Sequence, residues 1–236
     1  MLLPGPLKNL LRGGRGEPVE NGPPLVANAA RQTFSARNTG VPAAVSTRPS
    51  RGLDQFFGYI RGQSGLTILD LGGATQQNVN FITNLGHRLY SEDFLQILNE
   101  TFGLDDTVDQ SNPGRIDYFL RQALDYPEGQ FDGVLLWDVL EYLTPALLAA
   151  VVERLHLIVR PKSYLLAFFH SDDKLEAVPL YTFRIQDINS LQVAQQGMRR
   201  PTQLFNNRSL EKLFGRFESV KFFLAKDRLR EVIVKV

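Results

Sequence analysis

Leu66-Thr67-Ile68-Leu69-Asp70-Leu71-Gly72-Gly73-Ala74-Thr75 is the stretch on which the rest of this chain is read. Its first six residues are a short, mostly apolar and partly β-branched run, and Gly72-Gly73 stops it. That is the pattern of a buried strand running into a tight turn. Thr75 can cap a helix reaching about Leu85, because Val79, Ile82 and Leu85 recur three apart on one face. Strand, small-residue turn and helix start leave backbone N–H groups where a ligand can approach closely.

The same alternation continues outward. Upstream, Leu53 to Ile60 has helical spacing and ends before Gly62 and Gly65. Downstream, His87 to Ser91 reads as a second strand, Phe94 to Phe102 as a helix, and Gly103 to Gly114 as a polar loop. Ile116 to Leu124 fits either period. Phe131 to Asp138 is another buried strand. Pro145 opens a helix over Ala146 to Ile158 that stops before Arg160-Pro161, and Ser163 to Phe169 is the next strand. Val220 to Leu224 and Arg230 to Val234 are separated by only five residues, which predicts an antiparallel hairpin at the C-terminus. Strand and helix in alternation, ending in a hairpin, predict an α/β fold with a doubly wound, mostly parallel sheet.

In such a sheet ligands bind outside the carboxyl ends of the strands. The residues there are Asp70, Gly72, Gly73 and Ala74 after the first strand, Glu92 and Asp93 after the second, and Trp137 and Asp138, with Glu141 and Tyr142 beyond, after Phe131 to Leu136. His170 ends the following strand, where a base could face a substrate. A glycine turn followed about twenty positions later by an acidic residue is a nucleoside-cofactor arrangement, since a carboxylate can accept two hydrogen bonds from a ribose diol. A dinucleotide site wants G-x-G-x-x-G for its pyrophosphate, and those three places hold Gly72, Ala74 and Gln77. Asp70 would repel a pyrophosphate but suits a cofactor carrying an ammonium and a sulfonium. S-adenosylmethionine is the better reading.

Ile68-Leu69-Asp70-Leu71-Gly72-Gly73-Ala74, Gly86, Asp93, and Phe131-Asp132-Gly133-Val134 running into Val139-Leu140-Glu141-Tyr142-Leu143 resemble the successive motifs of class I S-adenosylmethionine-dependent methyltransferases. The likeness is greatest to the small-molecule type that includes quinone-biosynthesis enzymes, and it spans roughly Asp54 to Val236. It implies a Rossmann-like, seven-stranded sheet with an antiparallel C-terminal hairpin. It also implies that Asp70 and the Gly72 turn hold the methionine moiety, that Asp93 or its neighbour Glu92 binds the ribose hydroxyls, and that Trp137-Asp138 lines the methyl-donor pocket. The chain departs from the family at Ala74 and Gln76, which stand where further glycines are usual, and at Tyr142, where histidine is common.

Composition sets the limits. The 236 residues carry a formal charge of +1, but the first 50 hold six basic against two acidic residues and the remaining 186 hold 20 against 23. An acidic body argues against nucleic acid as the partner and for a small-molecule substrate. Residues 1–50 also hold 13 of the 32 Gly plus Pro but a single aromatic, Phe34, which predicts a basic, disordered extension ahead of a methyltransferase domain over 51–236. Cysteine is absent and His87, His156 and His170 are scattered, so no metal is expected. No run approaches the length of a membrane span, and a cytoplasmic setting is the default. The expected activity is methyl transfer by in-line displacement to a small molecule selected by Asp54 to Ile60, Ser171 to Arg184 and Gln195 to Asn207. The alternatives are a non-catalytic cofactor-binding or interaction protein of the same fold, and an RNA methyltransferase using the basic extension. Neither the acceptor nor the oligomeric state is legible.

Overall fold

The computed structural model describes residues 45–104, 108–172, 175–225 and 227–236. The expected extension therefore lies outside the described residues as far as position 44. Its last residues form β1 (Val45–Pro49), a strand in which Arg48 is buried. Ser50 follows as a cap, its hydroxyl accepting from Leu53 N at 3.1 Å, and α1 (Arg51–Ile60) turns Leu53, Phe56, Phe57 and Ile60 inward. Each such apolar side chain contributes about 1.5–3 kcal/mol on burial.

The quoted stretch forms β2 (Thr67–Asp70), buried throughout, and α2 (Gln76–Asn84), capped by Thr75. β3 (Arg88–Ser91) and α3 (Phe94–Phe102) follow, then α4 (Pro113–Ala123), which resolves the ambiguous stretch as helix. Asn112 caps it and Pro113 occupies its first turn. β4 (Phe131–Trp137) leads through one 3-10 turn (Val139–Tyr142) to α5 (Pro145–Ile158) and β5 (Val159–His170). β6 (Val178–Asp187) and β7 (Ser190–Arg199) come next, then α6 (Asn207–Leu213), β8 (Ser219–Leu224) and β9 (Leu229–Lys235).

The large sheet has the order β3-β2-β4-β5-β9-β8. β3, β2, β4 and β5 run parallel, and β9 pairs antiparallel with both β5 and β8. It contains six strands among the described residues, not the seven implied by resemblance. Between α3 and α4 the described residues, 103–104 and 108–112, form no further strand, and Gly103, Asp109, Ser111 and Asn112 punctuate them. Apolar clusters cover both faces, one built with α3, α4, α5 and α6, the other with α1, α2 and β6–β7.

A second sheet, β1-β7-β6, is antiparallel and was not foreseen. Much of residues 171–184 and 195–207, the ranges expected to select the acceptor, is strand. Phe183 and Ile185 on β6, and Leu191 and Val193 on β7, are the buried side chains that hold the hairpin down. No helix of the described residues is long and apolar enough to cross a membrane.

Candidate functional site at the carboxyl ends of the strands

After β2 the chain turns toward β3, and β4 lies on β2's other side, so strand order reverses at β2. Asp70 ends β2 with no solvent exposure. Its Oδ1 accepts from Gly72 N at 2.9 Å and from Trp137 Nε1 at 2.6 Å, and its Oδ2 accepts from Asn78 Nδ2 at 2.9 Å. Burial pushes this carboxyl above the ordinary range, and the three donors oppose the shift.

The turn itself is clamped. Gly73 N donates to Glu92 O at 3.0 Å, Phe94 N donates to Leu71 O at 3.3 Å, and Gly72 bridges Asp93. Gly73 has φ +82°, the left-handed region that favours glycine. Gly72 is required for another reason: a Cβ there would lie 2.6 Å from Trp137 Cδ1 and 2.7 Å from its Nε1. Ala74 is exposed and leads into the Thr75 cap.

Glu92 and Asp93 separate in role. Glu92 is half-buried and hydrogen-bonds the Tyr126 hydroxyl; the burial and this carboxylate raise the Tyr126 pKa. Asp93 is exposed, and its Oδ1 caps α3 by accepting from Gln96 N at 3.0 Å. The Asp93 side chain borders a cavity of about 520 Å³ together with Gly72, Gln96, Leu180, Tyr181 and others.

Trp137 ends β4 at φ +52°, a conformation that bulky residues rarely adopt and that packing must hold. Its ring is 1% exposed, stacks on Phe183 at 5.1 Å with the planes 4° apart, and meets Phe168 edge-on at 5.7 Å. Beyond it lies a buried ionisable cluster. His170 N donates to Glu141 Oε1 at 2.8 Å, and His170 Nδ1 lies 2.6 Å from Glu141 Oε2. Burial raises the Glu141 carboxyl, and His170 opposes this. Asp138, also buried, is pushed up to about 7 by burial and by the charge of Glu141. Tyr181 stacks over His170 at 6.3 Å, and Arg199 lies over the Tyr142 ring at 4.8 Å. Asp138 Oδ2, Tyr142 OH and His170 Nε2 are buried without a hydrogen-bond partner among the described residues.

The eight residues expected to hold a cofactor thus fall into two groups. Gly72 and Asp93 line the cavity, with Gly73, Ala74 and Glu92 beside them in the clamped turn. Asp70, Trp137 and Asp138 lie behind, packed against the chain's own side chains. A nucleoside fits the first group, since an exposed carboxylate faces a residue without a side chain. The amino-acid tail of S-adenosylmethionine does not fit the second group as it stands, because the Trp137 ring and the Asn78 amide already occupy Asp70. Sequence reasoning missed Asn78 and Phe183. Asn78 is buried, donates to Phe183 O at 3.3 Å as well as to Asp70, and accepts from Ile185 N at 2.8 Å. Its signal was a polar residue one turn before Ile82 on the inward face of α2.

No family model matches the chain, and no curated protein matches it. Among solved structures, a Burkholderia thailandensis 1,6-didemethyltoxoflavin-N1-methyltransferase with bound 1,6-didemethyltoxoflavin and S-adenosylhomocysteine is 14% identical. The match has a TM-score of 0.44 and covers 78% of this chain and 76% of that one. A SAM-dependent methyltransferase from Archaeoglobus fulgidus is 14% identical with a TM-score of 0.47, covering 78% and 91%. One from Methanosarcina mazei is 15% identical with a TM-score of 0.42, covering 73% and 93%.

Proposed function

We propose that this chain is an S-adenosylmethionine-dependent methyltransferase acting on a small-molecule acceptor. The observation that carries the reading is the meeting of Gly72 and the exposed Asp93 carboxylate across one cavity of about 520 Å³ beside the point where strand order reverses. The carboxylate can accept from a ribose diol, and the glycine lets a nucleoside lie against the backbone. A pyrophosphate is a poor fit. The amides that would cradle it are in use, Gly72 N by Asp70 Oδ1, Gly73 N by Glu92 O and Asn78 N by the Thr75 hydroxyl.

When bound, S-adenosylmethionine supplies a methyl group already activated on a sulfonium. The part left to the protein is to bind, orient and exclude water. Asp93 and Gly72 take the nucleoside end. A second cavity of about 750 Å³ shares Asn99, Leu104 and Leu180 with the first and is lined by Arg199 and Arg200, which supports an acceptor side along β6–β7.

The test is calorimetry with S-adenosylhomocysteine and with 5′-methylthioadenosine, on the full chain, Asp93→Asn and Asp93→Ala. Both ligands bind the unaltered chain, and both variants bind more weakly by about tenfold or more, the loss of a charge-assisted hydrogen bond worth about 1.5–3 kcal/mol. Asparagine keeps the cap of α3, so its loss reports the ligand contact and not the helix. No saturable binding of either ligand to the unaltered chain refutes the reading.

A further inference from the structure

Gly72 lines the cavity, and the Trp137 ring, which does not, is packed against Gly72. A ligand whose nucleoside lies between Gly72 and Asp93 and whose amino-acid tail turns toward Asp70 must pass Gly72, toward the ends of β2 and β4. There the indole Nε1 is bonded to Asp70 Oδ1, its Cδ1 lies 2.6 Å from where a Gly72 Cβ would be, and its ring is stacked on Phe183. Asp70, the carboxylate that would receive an ammonium group, is surrounded by donors of the chain itself: Gly72 N, Trp137 Nε1 and Asn78 Nδ2. Phe183 reaches the ring from β6, and Asn78 ties that strand to α2 through Phe183 O and Ile185 N. The seat is also strained, since Trp137 holds a left-handed φ of +52°.

We propose that Trp137 is the selectivity residue of this cavity. It closes the inner end, so that the site takes a nucleoside with a short uncharged 5′ substituent directly and admits a zwitterionic amino-acid tail only when the Trp137–Phe183 stack parts. This rests on the nucleoside reading of the cavity given above. An open arrangement populated about one time in ten would weaken the apparent affinity for the longer ligand by about tenfold while leaving the shorter one untouched.

The chain has a single tryptophan, so its emission reports Trp137 alone. The full chain, Trp137→Ala and Phe183→Leu are titrated with 5′-methylthioadenosine and with S-adenosylhomocysteine, which share nucleoside and sulfur and differ in the amino-acid tail. Heat is recorded for all three proteins, and emission with acrylamide quenching for the two that keep Trp137.

The expected result is that methylthioadenosine binds all three within about twofold and leaves the emission unchanged. S-adenosylhomocysteine shifts the emission to the red and makes it more quenchable, and it binds both variants about tenfold more tightly than the unaltered chain. If Trp137→Ala does not fold, Phe183→Leu and the emission of the unaltered chain carry the same test. S-adenosylhomocysteine binding with no emission change and no gain in the variants overturns the inference while leaving the nucleoside reading intact, as does an emission shift with methylthioadenosine. No binding of either ligand to any protein overturns both.

Discussion

Replacing Asp138 by asparagine tests the electrostatics behind Trp137. Asp138 is 2% exposed, and burial, then the charge of Glu141, push its carboxyl up to about 7, while His170 and the backbone N–H groups of Asp138 and Tyr181 pull the other way. In the unfolded chain the same group ionises near an ordinary value of about 4. Between about pH 4 and about 7 the folded protein therefore keeps a proton that the unfolded chain has released, and stability falls as pH rises through that window. The slope is about 1.4 kcal/mol per pH unit, or roughly 4 kcal/mol across the window. Below it both states are protonated and no penalty exists; above it both are ionised and the penalty is constant. Asparagine has nearly the same shape and no charge in either state. Urea unfolding of both proteins at a series of pH values should give free energies that converge at the acid end. Toward about pH 7 they should separate, asparagine the more stable, and above it run parallel. A gap that stays constant from the acid end to neutrality would refute the reasoning.

Glu231→Ala should cost about 3–5 kcal/mol in urea unfolding, since Glu231 is buried and accepts from Ser50 Oγ, Gly52 N and the buried Arg48 guanidinium at 2.8 Å; a loss below about 1 kcal/mol would count against it. Gly72→Ala forces the Trp137 ring to move and should cost about 1–3 kcal/mol with a shift in tryptophan emission; an unchanged spectrum would place the ring elsewhere. Asn78→Ala removes one donor from Asp70 and the acceptor for Ile185 N, costing about 1–3 kcal/mol per group left unpaired, and should speed hydrogen exchange at the Ile185 amide; unchanged exchange there would show the tie between α2 and β6 to be idle.

The elements legible in the sequence are those whose signals are local. Thr75 and Asp93 stand at helix starts and do cap α2 and α3, and the helix read over Phe94 to Phe102 has those same bounds in the structure. β6 and β7 were illegible because register shifts at Leu180/Tyr181 and Ile185/Asp187 break the period of two that marks a strand. The seventh strand is implied by resemblance alone, whereas Gly103 to Gly114 reads as a polar loop. At the site, residue types could be placed at strand ends but their facing could not. Whether Asp70 or Asp93 meets the cavity depends on where the Trp137 ring sits, and that depends on Phe183, which no sequence motif marks.

The hairpin that escaped the sequence reading is thus the part that makes the site what it is. β6 places Phe183 on Trp137, presents Ile185 N and Phe183 O to Asn78, and carries Tyr181 over His170, with its N–H on the Asp138 carboxylate. One strand therefore touches groups at the carboxyl ends of β4 and β5 at once, and reaches Asp70 at the end of β2 through Asn78. Releasing any of these groups to a ligand disturbs the same strand that holds the others. A substitution on α2 such as Asn78→Ala should then loosen a seat built by β4, although Asn78 and Trp137 meet only through Asp70 and Phe183.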